Sequence, residues 1–351
     1  MLESLKNLLG PIVVTGHTGF KGTWLMLLLE GLGIRSVGIS LPAKPNSMYE
    51  RLKMNSRFEE HFIDMTDIVH LEKILIKVNP SAIIHLAAES LVFNSYSHPY
   101  ETFKTNVIGT ANICQLGLQI SSIKSILITT TDKVYENKNQ RNRFKEEDSI
   151  KGGDPYSSSK AAVESVINMW QQISNNRGGP DFISLRAGNV IGGGDYAENR
   201  LLPDIVRSIF ESKELLIRNP DSTRPWQHVL DPLLGYLLAL SSSLENEIPR
   251  MSAFNFATSE ASQSVNWALE VVNEQRYLDK VLKFKISPKT YYESNYLDLD
   301  ASKAKEMLSW ASKWSQREAI ERTIAWWYKV IREKRDPYEV SIQEIREYLY
   351  S

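Results

Sequence analysis

Cysteine is nearly missing from this chain, with Cys114 the only one in 351 residues. A single thiol excludes an intrachain disulfide and any metal site built from several cysteines, and it fits a reducing, cytoplasmic compartment. A surplus of either charge is missing too. Lys plus Arg number 41 against 42 for Asp plus Glu, so no overall positive field draws the chain to nucleic acid or an anionic membrane. Long apolar runs are also lacking. The longest, WLMLLL, is far short of a membrane span, and MLESLKNLLGPIVVTG lacks a basic start followed by an apolar run and a cleavage site. Neither export, a membrane anchor nor a bound metal is expected. Enough remains for a large core, because 42% of the residues are hydrophobic and 24% charged.

Short β-branched runs alternate with helical patterns through the first half. PIVVT, RSVGIS, HFIDMT, SAIIHLAA, SILITTT and DFISLRAG read as strands, each apolar and bounded by turn or charged residues. TDIVHLEKILIKVNP reads as a helix, with Thr66 or Asp67 as its cap, Leu71, Ile74, Leu75 and Val78 as its apolar stripe, and Pro80 as its stop. Strict alternation implies an α/β fold with a doubly wound, Rossmann-like parallel sheet. The rhythm changes near Gly188: IGGGD reads as a flexible turn, LLPDIVRSIFES and DPLLGYLLALSSSL as helices, AFNFA as a buried strand. The expected organisation is a nucleotide-binding domain over 1–187 with a return segment near 229–257. A smaller, mixed substrate lobe is expected from 188–228 and 258–351, its charged, aromatic tail from Arg317 packing as helix.

Two constellations carry chemistry. GHTGFKG places Gly16, Gly19 and Gly22 between the first strand and a helix, where backbone N–H groups and the positive helix end suit a pyrophosphate. No acidic residue ends the second strand to grip an adenosine ribose, and no arginine stands there for a 2′-phosphate; the reading leans to NAD. In GGDPYSSSK, Tyr156 and Lys160 stand four apart on one helical face. A neighbouring ammonium favours the phenolate, lowering the tyrosine pKa toward that of a usable base.

With these pieces the chain resembles an extended short-chain dehydrogenase/reductase, through GHTGFKG, YSSSK and the threonines of ITTTDKVY. The resemblance implies that Tyr156 removes a hydroxyl proton as hydride moves to the nicotinamide, while Lys160 also holds the nicotinamide ribose. TTTDKVYEN resembles the sugar-nucleotide 4,6-dehydratases of that family, with Thr131, Asp132 and Lys133 at the proton-transfer positions, and DK resembles their CDP-glucose branch. Asp132 is then the acid that protonates the departing 6-hydroxyl. Lys133 is either the base at carbon 5 or a charge that stabilises the enolate.

The same resemblance assigns Asn189, Arg200 and Arg224 to the nucleotide-sugar substrate. It assigns His17, Phe20, Asp64, Ala87 and Ala88, with the three glycines, Tyr156 and Lys160, to NAD. His17 stands where related turns hold a small residue, so it is expected to crowd the phosphates and leave the purified enzyme partly empty of NAD. A homodimer or dimer of dimers is implied, pairing the Tyr156 helix with TFKTNVIGTANICQLGLQ. A sugar-nucleotide epimerase or keto-reductase shares the fold without needing Asp132 and Lys133, and a non-enzymatic NAD sensor needs neither Tyr156 nor Lys160.

Overall fold

The computed structural model describes residues 2–350 except 56, 139–141, 212, 279–281, 283 and 287–295. Its centre is a seven-stranded parallel sheet built from β1 (Ile12–Thr15), β2 (Ser36–Ser40), β3 (Glu59–Phe62), β4 (Ala82–His85), β5 (Ser125–Thr129), β6 (Asp181–Ala187) and β7 (Met251–Phe256). In space the strands run β7-β6-β5-β4-β1-β2-β3, so the order reverses at β1, where clefts open beyond the strand carboxyl ends. Val13 pairs with Val37 on one side and Ile83 on the other. Such strands are buried on both faces, which is why they read as continuous apolar runs.

Successive side chains divide between two cores, as strand geometry requires. Ile12, Val14, Ile84, Leu127, Ile183 and Leu185 face one layer. There lie helices α1 (Phe20–Leu32), α2 (Leu230–Leu244), α3 (Gln316–Ile331) and α4 (Pro337–Tyr350). Val13, Ile39, Ile83, Ile126, Ile128 and Phe182 face the other, under α5 (Ile68–Val78), α6 (Gly109–Gln119) and α7 (Pro155–Arg177). Asp67 caps α5 by accepting from His70 N at 3.2 Å, and Asn79 closes the helix in the left-handed region before Pro80.

Three local readings change. The strand expected at HFIDMT lies earlier, at Glu59–Phe62, with Ile63–Thr66 outside it. The segment TFKTNVIGTANICQLGLQ is not one regular helix: Lys104–Ile108 is a π-helical turn. Within it Asn106 bonds both the N–H (2.8 Å) and the carbonyl (3.0 Å) of Glu89 and the Ser159 hydroxyl (2.8 Å), which ties the loop after β4 to α7. IGGGD is packed rather than loose. A Cβ on Gly193 would lie 2.0 Å from Trp326 Cγ, so the glycine admits the indole. Among the described residues no helix is long and apolar enough to cross a membrane, and no group of three metal-ligating side chains gathers.

Candidate active site

A cleft of about 1470 Å³ runs across the carboxyl ends of the strands. One wall is the glycine turn. Gly16 has φ +73°, and a Cβ there would lie 2.7 Å from Ala87 N; a Cβ on Gly22 would lie 2.1 Å from the Gly16 carbonyl oxygen. The first position needs a left-handed backbone, and the second lets α1 press against the turn. The N-cap of α1 is Gly19, which has no capping side chain, so the first N–H groups of the helix stay open to an anion.

Gly16, Gly19, Phe20, Gly22, Asp64, Ala87 and Ala88 all line the cleft. His17 does not, and the expectation that it crowds the phosphates fails. Its ring lies inside the sheet, 0% exposed, with Nε2 3.1 Å from Glu60 Oε2. Gly38 makes the room: a Cβ on that residue of β2 would fall 2.5 Å from the imidazole. Burial lowers the ring's pKa against the opposing pull of Glu60. Asp64 is engaged by the Thr66 N–H and hydroxyl, both at 2.8 Å. At the end of β2, Ser40 and Thr18 share a hydrogen bond of 2.7 Å where a ribose-binding acid would stand.

The opposite wall holds the proton-transfer groups. Asp154 caps α7 by accepting from Ser157 N at 2.9 Å, and Pro155 starts the helix. This sets Tyr156 and Lys160 on its buried first turns. The Tyr156 N–H donates to Ser95 Oγ at 3.1 Å, and Lys160 Nζ donates to the Thr129 carbonyl at 2.9 Å. Thr131, in the turn after β5, donates to Asp132 Oδ1 at 2.9 Å, and both residues act on the ionisation of the Tyr156 phenol. Tyrosine, threonine and carboxyl thereby stand together in the cleft. Lys133 follows on the same turn and lines the cleft.

Burial governs the ionisation of this set. It raises the Asp132 pKa against the opposing pull of Lys133, Arg224 and Lys21, and Asp132 Oδ2 has no hydrogen-bond partner among the described residues. Such a carboxyl tends to hold a proton. Tyr156 is also pushed up, by burial and then by Asp132. In the protein alone, therefore, the tyrosine does not show the expected net lowering. Lys160 itself is lowered to about 8 by burial and then by Lys21, with Glu164 opposing.

Lys21 is the site residue that the glycine spacing left without a role. Its ammonium lies 3.5 Å from the Tyr236 hydroxyl, and its pKa falls to about 8 through burial and then the Arg200 charge, with Asp132 opposing. Only the direction of α1 brings it there. Asn189, Arg200 and Arg224 all line the cleft, but Arg200 stands at the reacting end. It pairs with Asp195 at 3.0 Å, reaches Ser90 Oγ at 3.4 Å, and has Tyr156 among its electrostatic neighbours. Arg224 is buried beside Asp132 and donates to the Thr223 carbonyl at 2.7 Å.

Known proteins resemble this chain in sequence and fold. The model of the family described as GDP-mannose 4,6 dehydratase matches residues 13–323. The CDP-glucose 4,6-dehydratase of Salmonella typhimurium is 35% identical over 346 residues, covering 96% of each chain. The UDP-glucose 4-epimerase of Mycoplasma pneumoniae is 25% identical over 71% of this chain and 76% of its own. The structure of the Bacillus anthracis dTDP-glucose 4,6-dehydratase in complex with NAD superposes with a TM-score of 0.75 at 21% identity, covering 94% of this chain and 99% of that one. With most of its length matched by the family model and a relative this similar across nearly the whole of both sequences, the chain belongs to the GDP-mannose 4,6 dehydratase family and is a homologue of the Salmonella CDP-glucose 4,6-dehydratase.

Proposed function

We propose that this protein is an NAD-dependent sugar-nucleotide 4,6-dehydratase that converts CDP-glucose to CDP-4-keto-6-deoxyglucose. The observation that carries the reading is that buried Asp132, whose pKa burial raises and to which Thr131 donates, stands with Tyr156 in one cleft. An epimerase needs the tyrosine but has no use for a carboxylic acid held beside it.

The turn fits a dinucleotide, because Gly16 and Gly22 let the turn close against Ala87 and α1 press against the turn, and the first N–H groups of α1 have no side-chain cap. Gly19, Phe20, Ala87 and Ala88 would flank NAD, with Lys160 at the nicotinamide ribose. NAD, when bound, supplies the acceptor for hydride from carbon 4 and its return to carbon 6. Tyr156 takes the proton of the 4-hydroxyl, with Thr131 beside it in the cleft. The resulting 4-ketone acidifies the proton on carbon 5. Asp132 gives its proton to the departing 6-hydroxyl as water leaves, and Lys133 serves the carbon 5 side of that elimination. Asn189, Arg200 and Arg224 hold the nucleotide sugar, for which arginine's planar fork suits a diphosphate.

The assembly proposed is a dimer. Helix α7 packs against the segment Pro99–Gln119, and Tyr100, Phe103 and Ile108 on that segment, with Met169 on α7, are exposed. A second copy would cover them. A single buried cysteine suits a cytoplasmic enzyme.

CDP-, dTDP-, UDP- and GDP-glucose, each supplied with NAD, test the reaction by mass spectrometry. Loss of one water from the CDP sugar is expected. Loss from a different sugar alone revises the base, and loss from none ends the dehydratase assignment.

A further inference from the structure

One turn beyond Lys160 the catalytic helix carries a second buried charge that the reaction leaves unused. Glu164 is 9% exposed and fully engaged. Its Oε1 accepts from the Thr130 hydroxyl at 2.6 Å, the Ser184 hydroxyl at 2.7 Å and Arg186 Nε at 2.9 Å, and its Oε2 accepts from Arg186 Nη2 at 2.8 Å. Arg186 continues through Nη1 to the Tyr135 hydroxyl at 2.9 Å and the Glu146 carbonyl at 3.0 Å. A buried ion pair is often no more stabilising than apolar side chains of the same volume. Stability alone therefore gives little reason for it.

Its connections give a better one. Glu164 belongs to α7, Thr130 follows β5, and Ser184 and Arg186 belong to β6. Thr130 lies between Thr129, whose carbonyl receives Lys160 Nζ at 2.9 Å, and Thr131, which donates to Asp132 at 2.9 Å and lines the cleft with Tyr156. One carboxylate on the helix that carries Tyr156 and Lys160 thus grips the middle residue of the strand end that carries the other half of the set.

We propose that Glu164 is a positioning residue of the dehydratase reaction, which through Thr130 fixes the Thr129–Asp132 strand end against Tyr156 and Lys160. The proposal rests on the dehydratase reading. The carboxylate also acts on Lys160 through space, holding its proton on, while Lys21 from α1 opposes it. His85 on β4 also faces Lys160, and burial keeps that imidazole neutral.

Thr130→Val and Ser184→Ala separate positioning from packing. Each deletes one hydroxyl donor to the same Oε1, but only Thr130 belongs to the catalytic strand end. Thr130→Val is expected to lower kcat about tenfold or more with KM within about twofold, while Ser184→Ala keeps both within about twofold. A role in packing alone makes the two variants alike. In Glu164→Gln the basic limb of the kcat/KM profile is expected to move to lower pH, since Lys160 loses the carboxylate that holds its proton; if that variant does not fold, the hydroxyl pair decides. Equal kcat effects in the pair, or an unmoved limb in folded Glu164→Gln, overturns the proposal. A wild-type enzyme that dehydrates no nucleotide sugar removes the reaction itself, and with it this role, an outcome distinct from an active wild type whose two variants match.

Discussion

Asp132 combines near-complete burial, an unpartnered Oδ2 and three cations in its surroundings. Desolvation outweighs those charges, so the carboxyl is suited to give a proton rather than to attract one. Asp132→Asn keeps the size of the group and removes its acidity. It is expected to leave oxidation at carbon 4 in place, visible as absorbance of reduced nicotinamide, while water loss falls by about 100-fold or more; an unchanged yield of the 6-deoxy product would assign the proton elsewhere. His85 is a buried group of the opposite kind. Its ring is bonded to Thr15 at 2.7 Å and Thr110 at 3.1 Å, and burial, followed by the Lys160 charge, lowers its pKa to about 3. The unfolded chain binds this proton first, so the stability contributed is complete above the ordinary histidine value near 6.5 and is lost as pH falls from there toward 3. By pH 5 the loss is about 2 kcal/mol, and denaturant melts at pH 7 and 5 should show a drop that His85→Asn flattens. Tyr156 and Lys160 could be paired from their spacing along one helix, while Thr131 and Asp132 were pointed to only by the family resemblance of TTTDKVYEN; all four line one cleft. The direction of His17 was not legible, since it depends on the missing side chain of Gly38 on another strand.

At the scale of elements, the catalytic helix depends on its first turn. Asp154 accepts the Ser157 N–H at 2.9 Å and its hydroxyl at 2.5 Å, and Tyr156 lies between these residues. Asp154→Ala should cost about 1 kcal/mol. Fraying would be confined to that turn, so faster amide exchange there, with a lower kcat, is expected while the centre of α7 keeps its protection; uniform exchange changes would contradict this. Such ends could be read from local residues, as at Asp67 and Pro80 on either side of α5. The π-helical turn at Lys104–Ile108 could not, because Asn106 finds its partners on the loop after β4 and on α7. For the same reason IGGGD looked loose: the indole that fills the space beside Gly193 arrives from α3, far along the chain.

For the molecule as a whole, Tyr100, Phe103, Ile108 and Met169 are the exposed apolar side chains of two adjoining helical segments. A dimer that buries them should dissociate when Phe103→Glu and Ile108→Lys place charge in the interface. Sedimentation at micromolar protein is expected to give twice the chain mass for the wild type and the chain mass for the double variant; a monomeric wild type would refute the assembly. The sheet order adds a consequence for synthesis. β7 pairs with β6 through Phe254 with Leu185 and Asn255 with Arg186, yet residues 188–250 separate the two strands. A ribosome must release that whole stretch before the sheet can gain its last strand, and non-local pairing of this kind is slow. Until then one edge of β6 stays unpaired, beside the arginine that secures the catalytic helix. The emerging chain thus holds every residue of the catalytic strand end and of its helix before it has made the strand that closes the sheet beside them.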